Sequence, residues 1–173
     1  MKKIVDFAVE RDLYLHAHCD EAALLAEMVR LEWRLKVHSN EICIVVVDAS
    51  KSSEMKANSD PLVAEYSFRE YQDFLSGVCK QQGGQVHSTA GDGAVLAFDK
   101  CEQALMAARE IQTGISYFNE HVNRMKFPFR LRIGIHMGSI SGDLKDVQYS
   151  EVIDIAAHVE GAAPVRGILM TRR

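Results

Sequence analysis

Residues 41–47 read Glu-Ile-Cys-Ile-Val-Val-Val, a continuous apolar run rich in β-branched side chains. A strand with one face in water alternates apolar and polar residues, so an unbroken run of this length marks a strand buried on both faces. The run ends at Asp48 and is followed by Ala49-Ser50-Lys51-Ser52-Ser53. Upstream, Ser39-Asn40 breaks a helix expected over residues 6–37, in which Leu24, Met28, Leu31 and Leu35 repeat at steps of four, three and four. Asp20 is placed to cap that stretch. Two readings are open for it: a helix packing on its own domain, or a connector or dimer helix after a sensor or membrane region of a longer parent protein.

Downstream, residues 61–82 read as a helix with Tyr66, Phe68, Tyr71, Phe74, Leu75 and Val78 near one side, stopped by Gly83-Gly84. Gln85–Ala90 and Gly93–Phe98 are short strands around Gly91-Asp92-Gly93, and Asp-Gly between two strand runs signals a hairpin. Residues 101–119 form the next helix, with Leu105, Ala108, Ile111, Gln112 and Ile115 spaced for packing. Phe127–Ile140 reads as a strand interrupted at Gly134 and Gly138, residues 151–161 as a helix broken by Pro164 and Gly167, and Ile168–Thr171 as a final strand start. From residue 41 to 140 the order is strand, helix, strand, strand, helix, strand. That is an α+β class, ferredoxin-like βαββαβ core, with 1–38 as an N-terminal helical connector and 39–173 as the domain.

Composition removes several function classes. The 173 residues suit one domain with an extension. Twenty basic against 24 acidic residues give −4, so no basic excess marks a nucleic-acid binder. No apolar run approaches the roughly 20 residues needed to span a bilayer, and Met1-Lys2-Lys3 leads into Asp6, Glu10, Arg11 and Asp12 rather than a signal peptide. The expectation is a cytoplasmic protein with no membrane span in this chain. Cys19, Cys43, Cys79 and Cys101 form no CxxC pair and read as four reduced thiols. His16, His18 and Cys19 are not read as a metal site, because i and i+2 on a helix do not share a face. Ser50, Ser52 and Ser53 lack the His/Asp partners of a hydrolase nucleophile. Trp33 reads as a packing residue, His87 as an exposed strand residue and His136 as a hydrogen-bonded sheet residue.

Two aspartates stand out. Asp48 ends the buried strand and Asp92 sits in the hairpin tip, and in a βαββαβ sheet those two points can face each other. Paired carboxylates there suit Mg²⁺ or Mn²⁺, hard cations that bind oxygen and leave positions for phosphate. On spacing alone, the plain turn residue is the more favoured reading of Asp92.

The stretch Gln82 to Phe98, with its Gly83-Gly84, Gly91-Asp92-Gly93 and Leu96-Ala97-Phe98, resembles a signature of class III adenylate and guanylate cyclases. RIGIHMG (132–138) and YSEVIDIAAHVEGAAPVRGILMT (149–171) fit the rest of that pattern in order, so the resemblance covers about residues 39–171. It implies the class III nucleotidyl cyclase fold, two Mg²⁺ or Mn²⁺, and ATP or GTP converted to a cyclic monophosphate and pyrophosphate at a site shared between two domains. It places Asp48 and Asp92 as metal ligands, Arg132 on the triphosphate, and the backbone of Ala49–Ser53 beside the phosphates, with Lys51 and Ser52 where the family usually has Gly-Phe. Ser88 and Val147 fall on the base-selecting positions, where neither makes a charged base contact.

The departures carry as much information. Asp154 and His158 stand where the family has the Asn that positions the ribose and the Arg that stabilises α-phosphate charge. An imidazole offers no guanidinium fork. The chain therefore resembles the metal-bearing half of heterodimeric cyclases. The resemblance implies a cyclase-type domain, weak alone or dependent on a homodimer or a complementary partner; the alternative is a non-catalytic regulatory or dimerisation module. No GGDEF-like loop points to a diguanylate cyclase. Family members usually continue past Thr171, so the chain also reads as a shortened core.

Overall fold

A computed structural model describes residues 21–37, 39–141 and 151–172. It divides into two units, Met1–His38 and Ser39–Arg173. In the first, helix α1 spans Glu21–Val37. Leu25, Met28, Val29 and Trp33 are all exposed, Trp33 at 66%. The packing role expected for Trp33 is thus corrected: its ring enters no core among the described residues. The part of the expected helix before residue 21, with Asp20, His16, His18 and Cys19, lies outside the described residues.

The second unit holds β1 (Ser39–Ala49), α2 (Ser52–Ala57), α3 (Pro61–Gln81), β2 (Gln85–Ala90), β3 (Gly93–Phe98), α4 (Cys101–His121), β4 (Leu131–Ser141), α5 (Glu151–Ala162) and β5 (Ile168–Met170). The sheet order is β2-β3-β1-β4-β5. β1 lies antiparallel between β3 and β4, while β5 runs parallel to β4 after the α5 crossover. This is the expected βαββαβ arrangement with one strand added at the edge.

The apolar run of β1 does what its pattern predicts. Cys43, Val45, Val47 and Ala49 enter one core with side chains of α3 and α4. Ile42 and Ile44 enter a second core with Val152 and Ala156 of α5. Successive strand residues point to opposite faces, so every residue from Ile42 to Val45 is buried. On the α3–α4 side, Tyr71 stacks on Phe129 at 4.7 Å, and Phe68 and Phe118 meet Phe129 edge-on. Asp60 caps α3 by accepting from Leu62 N and Val63 N, with Pro61 at the first helical position.

Three expectations change. Residues 52–57 form the short helix α2, entered through Lys51 in the left-handed region at φ 62°. Leu105 is 37% exposed, because Ala104, Ala107, Ala108, Ile111, Ile115 and Phe118 form the buried stripe of α4 and Leu105 lies off it. β4 starts at Leu131 and runs unbroken through Gly134 and Gly138. Gly134 is there for close approach, since a Cβ would collide with the Glu160 N and Ala156 O atoms of α5.

Candidate active site

The strand register builds the site. Asp48 lies opposite Gly93 on β3 and opposite Arg132 on β4. One residue on, Ala49 N–H donates to Asp92 O at 3.3 Å, which ties the hairpin tip to the end of β1. The tip turns through Gly91 at φ 61°, a conformation only glycine adopts freely, and Gln72 Nε2 donates to Gly91 O and Gly93 O. The structure therefore brings the ends bearing Asp48 and Asp92 together.

Neither carboxylate stands alone. Arg132 Nη2 donates to Asp48 Oδ2 at 2.7 Å, with both side chains partly exposed. The other edge of the guanidinium meets α5, where Arg132 Nε lies 3.0 Å from Glu160 Oε1; this contact is an ion pair without hydrogen-bond alignment. The hydrogen bond to Asp48 raises the Arg132 pKa above its ordinary value, against the opposing effect of burial. Glu160 is pushed up first by burial and then by the charge of Asp48, with Arg132 pulling the other way and Asp92 adding to the rise. Ser52 Oγ donates to Asp92 Oδ2. Under both aspartates lies Tyr71, fully buried, its hydroxyl without a hydrogen-bond partner in the described residues. Burial, then Asp48 and Asp92, raise its pKa.

The other predicted residues fall into three groups. Lys51 is exposed and pairs with Glu54 at 3.4 Å. It lines a shallow cleft with Ser50, Glu54, Met55, Phe127 and Arg130. Of the backbone expected beside phosphates, Ala49 N–H and Ser50 N–H are already bonded to Asp92 O and Arg130 O, which narrows the loop's free donors to Lys51–Ser53. Asp154 and His158 are exposed on α5, and His158 Nδ1 lies 2.7 Å from Asp154 O on its own helix. Ser88 is exposed on β2 beside a register shift between Val86 and Ser88, and His87 there is half-buried rather than exposed. Val147 lies outside the described residues. His136 Nδ1 bonds Thr171 Oγ1 at 2.8 Å, as expected of a sheet histidine.

Glu160 was not among the predicted site residues. Its signal is spacing: Val152, Ala156 and Glu160 repeat every four residues and all are buried, so an acid occupies a packing position facing the strand that carries Arg132.

Among the described residues no group of three His, Cys, Asp or Glu is placed to hold a metal, which removes a closed zinc-type cage. Two partly exposed carboxylates on joined strand ends still fit Mg²⁺ or Mn²⁺, which take one or two carboxylates and complete their shells with water and phosphate. No described helix is long and apolar enough to cross a membrane.

No family model matches the chain, and no curated protein matches it. Solved structures do. The adenylyl cyclase CyaB from P. aeruginosa superposes with a TM-score of 0.69 at 14% identity, covering 78% of each chain. The guanylate cyclase domain of RhGC from Catenaria anguillulae, in complex with GTP, gives 0.66 at 14% identity, over 76% of this chain and 78% of that one. An adenylate/guanylate cyclase/hydrolase from Silicibacter pomeroyi gives 0.59 at 27% identity, over 76% and 75%. With its order β2-β3-β1-β4-β5 and two aspartates at one end of the sheet, this chain has the fold of the class III adenylyl and guanylyl cyclase catalytic domains.

Proposed function

We propose that this is a cyclase-type domain that binds a nucleoside triphosphate, ATP or GTP, with two Mg²⁺ or Mn²⁺, and works with a second cyclase domain in a cytoplasmic signalling protein. The observation that carries the reading is the junction of Asp48, Asp92 and Arg132 at one end of the sheet, with Asp154 and His158 on the opposite, outward face of α5. Among the described residues nothing covers that outward face, so residues on it suit a site completed by another chain, either a copy or a complementary partner. Residues 1–38 act as the connector.

Asp48 and Asp92 would hold the cations, which when bound supply Lewis acidity to the ribose 3′-hydroxyl and neutralise phosphate charge. The chain's own groups do the rest. Arg132 orients the triphosphate, and Glu160 keeps the guanidinium at the sheet end as Asp48 turns to its cation. Lys51 stands exposed on the loop toward the phosphates, and the buried Ser52 beside it holds Asp92. In the reaction the 3′-hydroxyl gives up its proton to solvent, its oxygen bonds to the α-phosphorus, and the bond to pyrophosphate breaks. Asp154 and His158 supply neither an amide nor a guanidinium to that step, so turnover by the chain alone is weak and rises with a partner that brings both.

A second reading, a non-catalytic regulatory or dimerisation module, is favoured by one observation: Asp48 is already engaged by Arg132. Calorimetry of ATP and GTP binding with and without Mn²⁺, paired with a cyclic-product assay, separates the two. Metal-dependent binding with slow turnover supports the first reading, and absence of binding supports the second. Fast turnover by the homodimer, lost in Asp48→Ala, would overturn the proposed deficiency.

A further inference from the structure

Away from this end of the sheet, the fold gathers three sulfur atoms that are far apart in the chain. Cys43 on β1 lies opposite Met137 on β4 and opposite Phe98 on β3. Cys101 is the first residue of α4. Its Sγ lies 3.1 Å from Cys43 Sγ and 3.3 Å from Met137 Sδ. Cys43 is fully buried and Cys101 is half-buried, and both are free thiols. Cys79, the other described cysteine, is fully buried.

We propose that Cys43 and Cys101 form a reversible disulfide, a redox-modification site whose oxidant is a peroxide. A disulfide needs its sulfurs about 2.05 Å apart, so closing this pair takes about 1 Å of side-chain rotation at positions already in contact. Access sets the order. Cys101 reaches solvent, whereas burial, followed by the neighbouring Cys101, pushes the Cys43 thiol up and keeps it protonated. The Cys101 sulfur attacks one peroxide oxygen, the O–O bond breaks, and the released hydroxide takes a proton to leave as water. The Cys43 sulfur then attacks the sulfenic sulfur of Cys101, the S–O bond breaks, and a second water leaves with the Cys43 proton. Two thiols lose two electrons and the peroxide gains them. Disulfides in reducing compartments are typically of this transient, sensing kind. The site lies five residues along β1 from Asp48, roughly 16 Å at about 3.3 Å per residue.

The test uses the full chain and hydrogen peroxide. Oxidation is expected to remove two titratable thiols, lower the mass by about two units, and link the tryptic peptides Val37–Lys51 and Cys101–Arg109, reversibly with dithiothreitol. Cys101→Ser should abolish the link, and Cys19→Ser/Cys79→Ser should retain it. Sulfinic acid on Cys101 with Cys43 still open to alkylation after denaturation would overturn the proposal. So would a link running through Cys19 or Cys79.

Discussion

Helix α5 presents acids on two faces, and they meet opposite fates. Glu160 shares the inward stripe with Val152 and Ala156, is 9% exposed, and holds Arg132. Asp154 lies on the outward face with His158, both exposed. A buried carboxylate without a partner is strongly disfavoured, so the inward acid is explained within the chain by its guanidinium. The outward pair has no such explanation among the described residues, and in the proposed function its chemistry counts where another domain covers it. The inward face is thus structural and electrostatic, and under the proposed function the outward face is where activity would be gained or lost.

The sharpest way to break that comparison is to repair the outward face. Asp154→Asn with His158→Arg should raise cyclic-nucleotide turnover of the homodimer by about 10²–10³, the usual worth of a preorganised group on developing phosphate charge. The same double substitution should leave thermal stability within about 0.5 kcal/mol, as for exposed positions generally. An unchanged rate would place the deficiency elsewhere and favour the non-catalytic reading. Next in size is Asp48→Ala. Loss of outer partners of a metal ligand costs 10–100-fold, so loss of the ligand itself should weaken Mn²⁺-dependent nucleotide binding by more than about 100-fold, read by calorimetry.

Much of this was legible in the sequence, and what was not has a common cause. β2 and β3 appear at their expected residues, Gln85–Ala90 and Gly93–Phe98, because turn chemistry and strand composition are local signals. Adjacency of Asp48 and Asp92 followed from the order of elements. The glycines of β4 misled, because Gly134 serves the approach of α5, a partner some 20 residues further along the chain. The Cys43–Cys101 contact was invisible for the same reason, and for Glu160 only its spacing with Val152 and Ala156 was visible, not its contact with Arg132: each contact is defined by which strand a helix lands on. Asp154 and His158 rest on the family resemblance alone, and the packing, which leaves both exposed, does not bear on their role.

The inward face can be broken in its own way. Gly134→Ala drives a methyl into the α5 backbone, and overpacking of this kind costs about 1–3 kcal/mol. At about 2–4 °C per kcal/mol for a chain of this size, a calorimetric Tm lower by several degrees is expected. An unchanged Tm would mean that α5 sits further from β4 than described.

Glu160→Gln is subtler. With the carboxylate gone, Arg132 is free to commit to Asp48, and Mn²⁺ affinity should fall by about threefold, less than the 10–100-fold usual for direct partners of a metal ligand, because Glu160 acts on Asp48 only through Arg132. A second readout is pH. The folded-state pKa of Glu160 is raised above 4.5, so between the unfolded and folded values the native state binds more protons than the unfolded one. Its contribution to stability is therefore lost as pH rises through that window. The amide variant should remove this downward slope; an unaltered pH profile would show that Glu160 does not titrate in the site.

The smallest effect belongs to the loop that joins β1 to α2. Lys51 holds φ 62°, a left-handed conformation that strains any residue with a Cβ and suits glycine. The family resemblance implies glycine at this place, and the backbone here has a shape that glycine allows. What lysine adds in return is one exposed ion pair to Glu54 at 3.4 Å, a contact of the kind worth about 0–1 kcal/mol. Lys51→Gly should therefore raise stability by about 0.5–1 kcal/mol, a Tm higher by roughly 1–4 °C. Its effect on nucleotide affinity decides why lysine is there. A loss of about twofold or more that vanishes at high salt assigns Lys51 to the phosphates, since screening removes an exposed charge–charge contact. Unchanged affinity at a higher Tm would leave Lys51 as a strained, solvated residue with no part in the site.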